Sequence, residues 1–254
     1  MSIFVTNRAH GPDGSKYDLK FVPEEATHQM DFVIQRVSYR LTRDEAFDVL
    51  YLGVSRMPIR LAYHYHNTGV PWKDQADLFL SIVEGKGFHA YACDFEGAYN
   101  VLSLQFARDT YEWIKYVAQQ TAKPVLLYTS LSLYNSWISV SKTQQGLPWD
   151  SVDLWQAQWP YVPNPNGTPT NPSGRTGGWK FWQYQSNADG TKYGMARPTA
   201  CDLNVFNGPV SDLRSYLKLD QPSPPPVVVN PVATVNFTDT SGREFTGTVE
   251  LKPK

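Results

Sequence analysis

The stretch Gly87-Phe88-His89-Ala90-Tyr91-Ala92-Cys93-Asp94-Phe95-Glu96 constrains this chain more than any other. It reads as a buried strand that ends in two carboxylates. Successive side chains on a strand point to opposite faces, so Asp94 and Glu96 share one face. Asp is depleted in strands, and a buried charge is costly unless it is paired or put to use. Two acids at the end of an apolar strand therefore need a reason. A purely structural one is an ion-pair network with Arg36 or Arg60.

The pattern on either side repeats the same theme. A first strand is expected near Ala9 to Ser15, a helical turn around Val22 to Gln29, and a strand from Phe32 to Ser38. Arg43 to Tyr51 reads as helix and Ile59 to His66 as strand. Trp72, Ala76, Phe79, Leu80 and Val83 mark one face of a helix from Trp72 to Val83. Leu104, Ala107, Tyr111, Ile114 and Ala118 mark another, which ends before Pro124. Pro124 to Ser130 is a further buried strand, with a shorter helix over Leu131 to Ile138. The rhythm then changes. Leu154 to Trp159, Trp179 to Gln185 and Cys201 to Phe206 read as strands joined by loops, and Val210 to Leu217 as a last helix. The loop Pro160 to Gly178 is rich in Pro, Asn, Gly and Thr and has no helical period.

Five β-α units followed by three strands imply an α/β fold with a closed or nearly closed barrel of eight strands. An open doubly wound sheet is disfavoured, because no Gly-rich phosphate loop follows the first strand. In such a barrel the site lies at the C-terminal ends of the strands. Candidate groups recur there: Asp13, Tyr63, Tyr65, Asp94, Glu96, Tyr128, Trp155, Trp182 or Tyr184, and Asp202.

With 19% charged residues and a net charge of −1, the chain lacks the basic signature of a nucleic-acid binder. No apolar run approaches the roughly 18 residues of a membrane span, and no signal peptide is visible at the N-terminus. Aromatic content is high at 14%, with eight Trp and fifteen Tyr. That suits a large aromatic core and equally a cleft that stacks sugar rings. Cys93 and Cys201 each precede an acid of the candidate site, so both should point away from the barrel interior as free, buried thiols. His64 and His66 lack a third ligand at recognisable spacing, which argues against zinc and for hydrogen-bonded or exposed histidines.

Four carboxylates among aromatics, without a convincing nucleophile–base pair, point to glycoside hydrolysis. One carboxylic acid protonates the leaving oxygen, and a second serves as base, nucleophile or stabiliser. Neighbouring negative charge keeps a proton on one member near neutral pH. Glu96, with the longer reach, takes the acid role. Ordinary turn or capping roles are the alternative for Asp13 and Asp202.

The chain resembles glycoside hydrolase family 25, the lysozyme-type N-acetylmuramidases of phage endolysins and bacterial autolysins. The resemblance spans roughly residues 9 to 217. It rests on Gly11-Pro12-Asp13-Gly14-Ser15, Asp31-Phe32-Val33-Ile34-Gln35-Arg36, Ala62-Tyr63-His64-Tyr65 and Cys93-Asp94-Phe95-Glu96. Val125 to Thr129, Leu154-Trp155-Gln156-Ala157, Trp182-Gln183-Tyr184 and Asp202 to Phe206 complete it. It implies a TIM-like, flattened (β/α)5β3 barrel that cleaves the β-1,4 bond between N-acetylmuramic acid and N-acetylglucosamine. The family's acid corresponds to Glu96, its paired carboxylate to Asp94, and its flanking acids to Asp13 and Asp202. Family members usually carry apolar residues where Pro12 and Gly14 stand, and the Pro160–Gly178 loop is longer than usual, so it is expected to reshape one end of the cleft. A chitinase-like enzyme would read Asp-Gly-x-Asp-x-Asp-x-Glu here; His89, Ala90 and Ala92 stand at its first, second and fourth positions, so two of its four acids are absent. The remaining alternative is a non-catalytic glycan-binding barrel.

The Asp-x-Glu spacing does not choose between retaining and inverting chemistry. The favoured route uses the substrate's 2-acetamido group as nucleophile, with Asp94 orienting it. The expected partner is the peptidoglycan glycan strand at the bacterial cell wall, reached by secretion or phage release. No cofactor, metal, nucleic acid or membrane is expected, and the chain is expected to act as a monomer. Residues 1–219 are expected to form the barrel, 220–232 a Pro-rich linker, and 233–254 a short β-hairpin extension that can mediate contacts.

Overall fold

A computed structural model of the chain describes residues 6–18, 20–198, 200–220, 232–238 and 242–250. Contacts divide the chain into two compact units, Met1–Leu219 and Asp220–Lys254. In the first, strands β1 (His10–Gly14), β2 (Val33–Tyr39) and β3 (Thr42–Arg43) precede helix α1 (Phe47–Val54). Then come β4 (Arg60–Tyr65), α2 (Trp72–Val83), β5 (Ala90–Asp94), α3 (Leu104–Thr121) and β6 (Val125–Ser130). A helical run follows as α4 (Leu131–Leu133), a π-turn over Tyr134–Ile138, and α5 (Ser139–Gln145). β7 (Asp153–Ala157), β8 (Phe181–Ala188), β9 (Cys201–Phe206) and α6 (Val210–Tyr216) complete the unit.

Eight of these strands form a closed α/β barrel in the order β1-β9-β8-β7-β6-β5-β4-β2, closed by pairing of β1 with β2. All neighbours are parallel except β9, which runs antiparallel to both β8 and β1. The closing seam is short: Asp13 opposite Ile34 and Gly14 opposite Gln35. Gly11 is required nearby, because a Cβ there would sit 1.9 Å from the Phe32 carbonyl oxygen.

Both faces of the sheet are buried, which is why its strands read as near-continuous apolar runs. Inward-facing Ile34, Leu61, Ala90, Ala92, Leu126, Trp155, Phe181 and Phe206 fill the barrel. Outward-facing Val33, Ala62, Tyr91, Leu127, Leu154 and Val205 pack beneath the helices. The face of α3 is Phe106, Ala107, Thr110, Trp113, Ile114 and Val117, all buried, and its first turn is capped by Ser103. The cap accepts from the Phe106 amide at 3.1 Å, satisfying a donor the helix leaves open.

Three sequence expectations need correction. Helix was expected from Arg43, but Thr42–Arg43 pairs back on Ser38–Tyr39 and helix starts at Phe47. The cause is Asp44, whose carboxylate caps the Ala46 amide at 2.9 Å and holds the chain in a turn. The helix expected to end at Ile138 continues through the π-turn to Gln145, where Gly146 stops it at φ +67°. Of the turn around Val22 to Gln29, only Pro23–Glu25 is helical, as one 3-10 turn.

In the second unit, β10 (Val232–Thr238) and β11 (Glu244–Glu250) pair antiparallel, with Val235 opposite Gly247. Linker residues 221–231 and turn residues 239–241 lie outside the described residues.

Candidate active site

The C-terminal ends of the parallel strands open into a cleft of about 350 Å³. Strand alternation delivers its lining. Tyr63 and Tyr65 come from β4, Asp94 from the last position of β5 with Glu96 just beyond it, Tyr128 from β6 and Trp155 from β7. Asp13 comes from β1. Because β9 is reversed, Asp202 near its start reaches the same mouth, directly opposite Asp13 in the ladder.

The end of β5 is fixed by backbone bonds on both sides. The Asp94 carbonyl accepts from the His66 amide, and the Phe95 amide donates to the Tyr128 carbonyl. Beyond it, Asn100 Nδ2 holds the Glu96 carbonyl at 2.9 Å and the His66 carbonyl at 3.0 Å. Phe95 is fully buried on the outer face, so its neighbours on either side face the cleft together.

Burial raises the pKa of each of the four carboxyl groups. Asp94 is pushed well above the ordinary carboxylate range, first by burial and then by the charge of Glu96, with Arg36 opposing. Glu96 is raised by burial and by Asp13, and lowered by the nearby Tyr128 hydroxyl. Asp202 is pushed up to about 9 by burial, then by Asp13, Asp18 and Glu96. Asp13 reaches only about 6, because bonds from Asn204 and Gln183 counter its burial. Four acids in one low-dielectric cleft cannot all ionise near neutral pH, so the cluster retains protons.

Arg36 lines the cleft without pairing directly to Asp94 or Glu96. Its Nε binds Asp44 at 2.6 Å, and its guanidinium lies over the rings of Tyr17 and Tyr39. Arg60 is elsewhere, bonded to the Met57 carbonyl at 3.0 Å. The ion-pair account of the two acids is thereby set aside. His64 sits between Ser38 at 2.8 Å and Gln75 at 3.0 Å, and His66 binds Thr110 at 2.9 Å, all on the outer face. Both cysteines are free and buried.

Two expected cleft residues are misplaced. Trp182 and Tyr184 face outward: Trp182 donates to the Gln158 carbonyl at 2.7 Å, and Tyr184 bonds His10 at 2.8 Å. The inward residue of β8 is Gln183, between them. No residue of the Pro160–Gly178 loop is among those that line this cleft. Its C-terminal part is held by Arg175, which donates to Tyr134 and to the Trp149 and Val152 carbonyls.

Sequence reasoning missed Gln183, Asn204, Trp159, Tyr39 and Tyr99. A bulge between Arg36 and Ser38 breaks the alternation of β2, so Arg36 and Tyr39 both line the mouth. Trp159 and Tyr99 stand on loops at the rim, 56% and 93% exposed. Tyr99 is held at φ +62°, a strained backbone for a non-glycine residue and a frequent mark of functional sites. Asn204 was within reach, since it lies two residues from Asp202 on one strand.

The model for glycosyl hydrolases family 25 matches residues 55–191. The chain belongs to that family. The matched span holds Asp94 and Glu96; Asp13 and Asp202 lie outside it and meet them at the barrel mouth. Among curated proteins, this family 25 chain is 27% identical over 160 residues to the uncharacterised protein YegX of Escherichia coli strain K12. That match covers 63% of this chain and 52% of YegX, so the chain spans about half the length of the curated relatives it matches. Among solved structures, its fold is similar to a family 25 glycosyl hydrolase from Bacillus anthracis, with TM-score 0.66 and 20% identity over 85% of this chain and 95% of that one. A bacterial lysozyme from Streptomyces coelicolor gives TM-score 0.65 and 22% identity over 85% and 99% of the two chains. The catalytic domain of endolysin ply40, from bacteriophage P40 of Listeria monocytogenes, gives 0.62 and 21% over 83% and 97%.

Proposed function

We propose that this family 25 chain is a peptidoglycan hydrolase of the lysozyme type. It cleaves the β-1,4 bond between N-acetylmuramic acid and N-acetylglucosamine. The observation that carries the reading is the meeting of Asp94, Glu96, Asp13 and Asp202 at one barrel mouth with raised pKa values. A raised pKa is what a general acid needs at neutral pH. Glu96 is the most accessible of the β5 acids and donates a proton to the leaving oxygen. Asp94, buried at the strand end, orients the 2-acetamido group, whose oxygen attacks the sugar carbon. The names of the solved neighbours, a lysozyme and an endolysin, support the substrate class and action at the cell wall. No helix among the described residues is long and apolar enough to cross a membrane.

Mass spectrometry of fragments from purified cell walls tests the bond specificity. Muramic acid at the new reducing ends is expected; glucosamine there would make the enzyme a glucosaminidase. Trapping a covalent bond between sugar and Asp94 would overturn the acetamido route and make Asp94 the nucleophile.

A further inference from the structure

The carboxylates differ in what donates to them. Asp13 Oδ2 accepts from Gln183 Nε2 at 2.9 Å and from Asn204 Nδ2 at 2.8 Å. Each amide is locked against turning over. Gln183 Oε1 accepts from the Tyr128 hydroxyl at 2.9 Å and the Trp159 indole at 3.1 Å. Asn204 Oδ1 accepts from the Trp155 indole at 2.8 Å. An indole nitrogen only donates, so the indoles decide which end of each amide is oxygen. The NH₂ ends are left to Asp13, whose Oδ2 therefore serves as an acceptor. Asp94 is the opposite case. Its Oδ1 is shut off from solvent, and no described side chain donates to it.

We propose that Gln183 and Asn204 are positioning residues that hold Asp13 as the ionised member of the cluster and leave its retained protons to Asp94, Glu96 and Asp202. Donors that favour the charged form lower a carboxyl pKa, and a carboxylate without them keeps its proton. The groups that face Asp13 are Asp18 on the same segment, Tyr63 from β4, Asp94 and Glu96 at the end of β5, Tyr128 from β6, and Cys201 and Asp202 from β9. The acids and the thiol would push its pKa up, and the phenols are neutral, so the amides are what hold it down. The division agrees with Asp13 near 6 and Asp202 near 9. For catalysis it means that a charged Asp13 raises Glu96 and helps it keep the proton it donates; this consequence rests on the hydrolase reading, while the charge assignment does not.

The test is a ¹³C-carboxyl NMR titration of the full chain labelled at Asp, with the Asp13 signal assigned by its loss in Asp13→Asn. Gln183→Met and Asn204→Leu keep the shape of each side chain and remove its donors. Each is expected to raise the Asp13 midpoint by about one pH unit. The alkaline limb of the activity profile should move down in both, because a neutral Asp13 no longer supports the Glu96 proton. Trp155→Phe leaves Asn204 in place but unlocks it, and should move the midpoint the same way by less. An unmoved Asp13 midpoint in folded Gln183→Met and Asn204→Leu overturns the proposal. Should neither fold, an unmoved midpoint in Trp155→Phe does so. A protein with the expected shifts but no action on cell walls would sink the hydrolase reading and leave the charge assignment standing.

Discussion

Asp94 and Asp13 stand three strands apart around one barrel mouth and are equally buried, 4% and 6% exposed. They nevertheless reach different states. Asp94 comes from a strand whose inward neighbours are Ala92 and Ala90, which offer it no donor, and its pKa climbs accordingly. Asp13 comes from the seam where β9 brings Asn204, and β8 brings Gln183, within hydrogen-bond reach. Burial raises both acids; the donors decide which of them ionises.

The sharpest test of this contrast is at the acid itself. Glu96→Gln removes the proton donor at nearly constant shape, and turbidity loss of cell walls should slow by about 10²–10⁴-fold with the melting temperature little changed. Equal clearing by both proteins would break the catalytic assignment. The next test sets the two aspartates against each other. Asp94→Asn replaces an unpartnered buried acid with a neutral amide and should melt at or above the wild-type temperature at pH 8. Asp13→Asn turns an acceptor into a group that meets two amide donors, and should lose about 1–3 kcal/mol in urea unfolding. The reverse order would break the comparison.

The pH dependence of stability follows from the same shifts. A carboxyl whose pKa is raised on folding binds its proton more tightly in the folded state. Its contribution is fully present below the unfolded value near 4 and is lost as pH rises through the folded one. Asp13 at about 6 and Asp202 at about 9 set a window from about pH 4 to 9 in which stability falls. Thermal melts across that range should show the decline, and Asp202→Asn should flatten its upper half. The smallest effect belongs to the rim. Tyr99→Ala should raise KM a few-fold with kcat nearly unchanged, as expected for a flat face that holds a sugar ring outside the reacting centre.

Much of this site was legible from alternation alone. Wherever a strand ran without a bulge and one inward residue was known, the rest followed: Tyr63 and Tyr65, Asp94 and Glu96, Tyr128, Trp155 and Asp202 all arrive at the cleft. At β8 the same logic had no anchor. Trp182-Gln183-Tyr184 is buried on both faces, so aromatic character did not mark the inward side, and the polar residue between the rings was the one that mattered. In β2 the bulge reset the count, which hid Tyr39. Trp159 and Tyr99 belong to loops, where no periodicity applies. The barrel was readable because its β-α rhythm persists from β2 to the helices after β6. The reversal of β9 was not, since an apolar strand looks the same in either direction.

That reversal has a consequence for the continuity of the chain. By running from the mouth to the floor, β9 ends where β1 begins: the Phe206 amide donates to the Ala9 carbonyl and the Ala9 amide to the Gly208 carbonyl, each at 2.9 Å. The order in which the strands are strung together is therefore separable from the ring they make. Leu213 and Leu217, on and just beyond α6, pack in the same core cluster as Ala9, so a linker from the end of α6 back to β1 would close the chain, and the exposed turn at Glu84–Gly85 offers new ends. A permuted chain starting at Gly85 would present β5 first and β4 last, and its four acids would still converge at one opening.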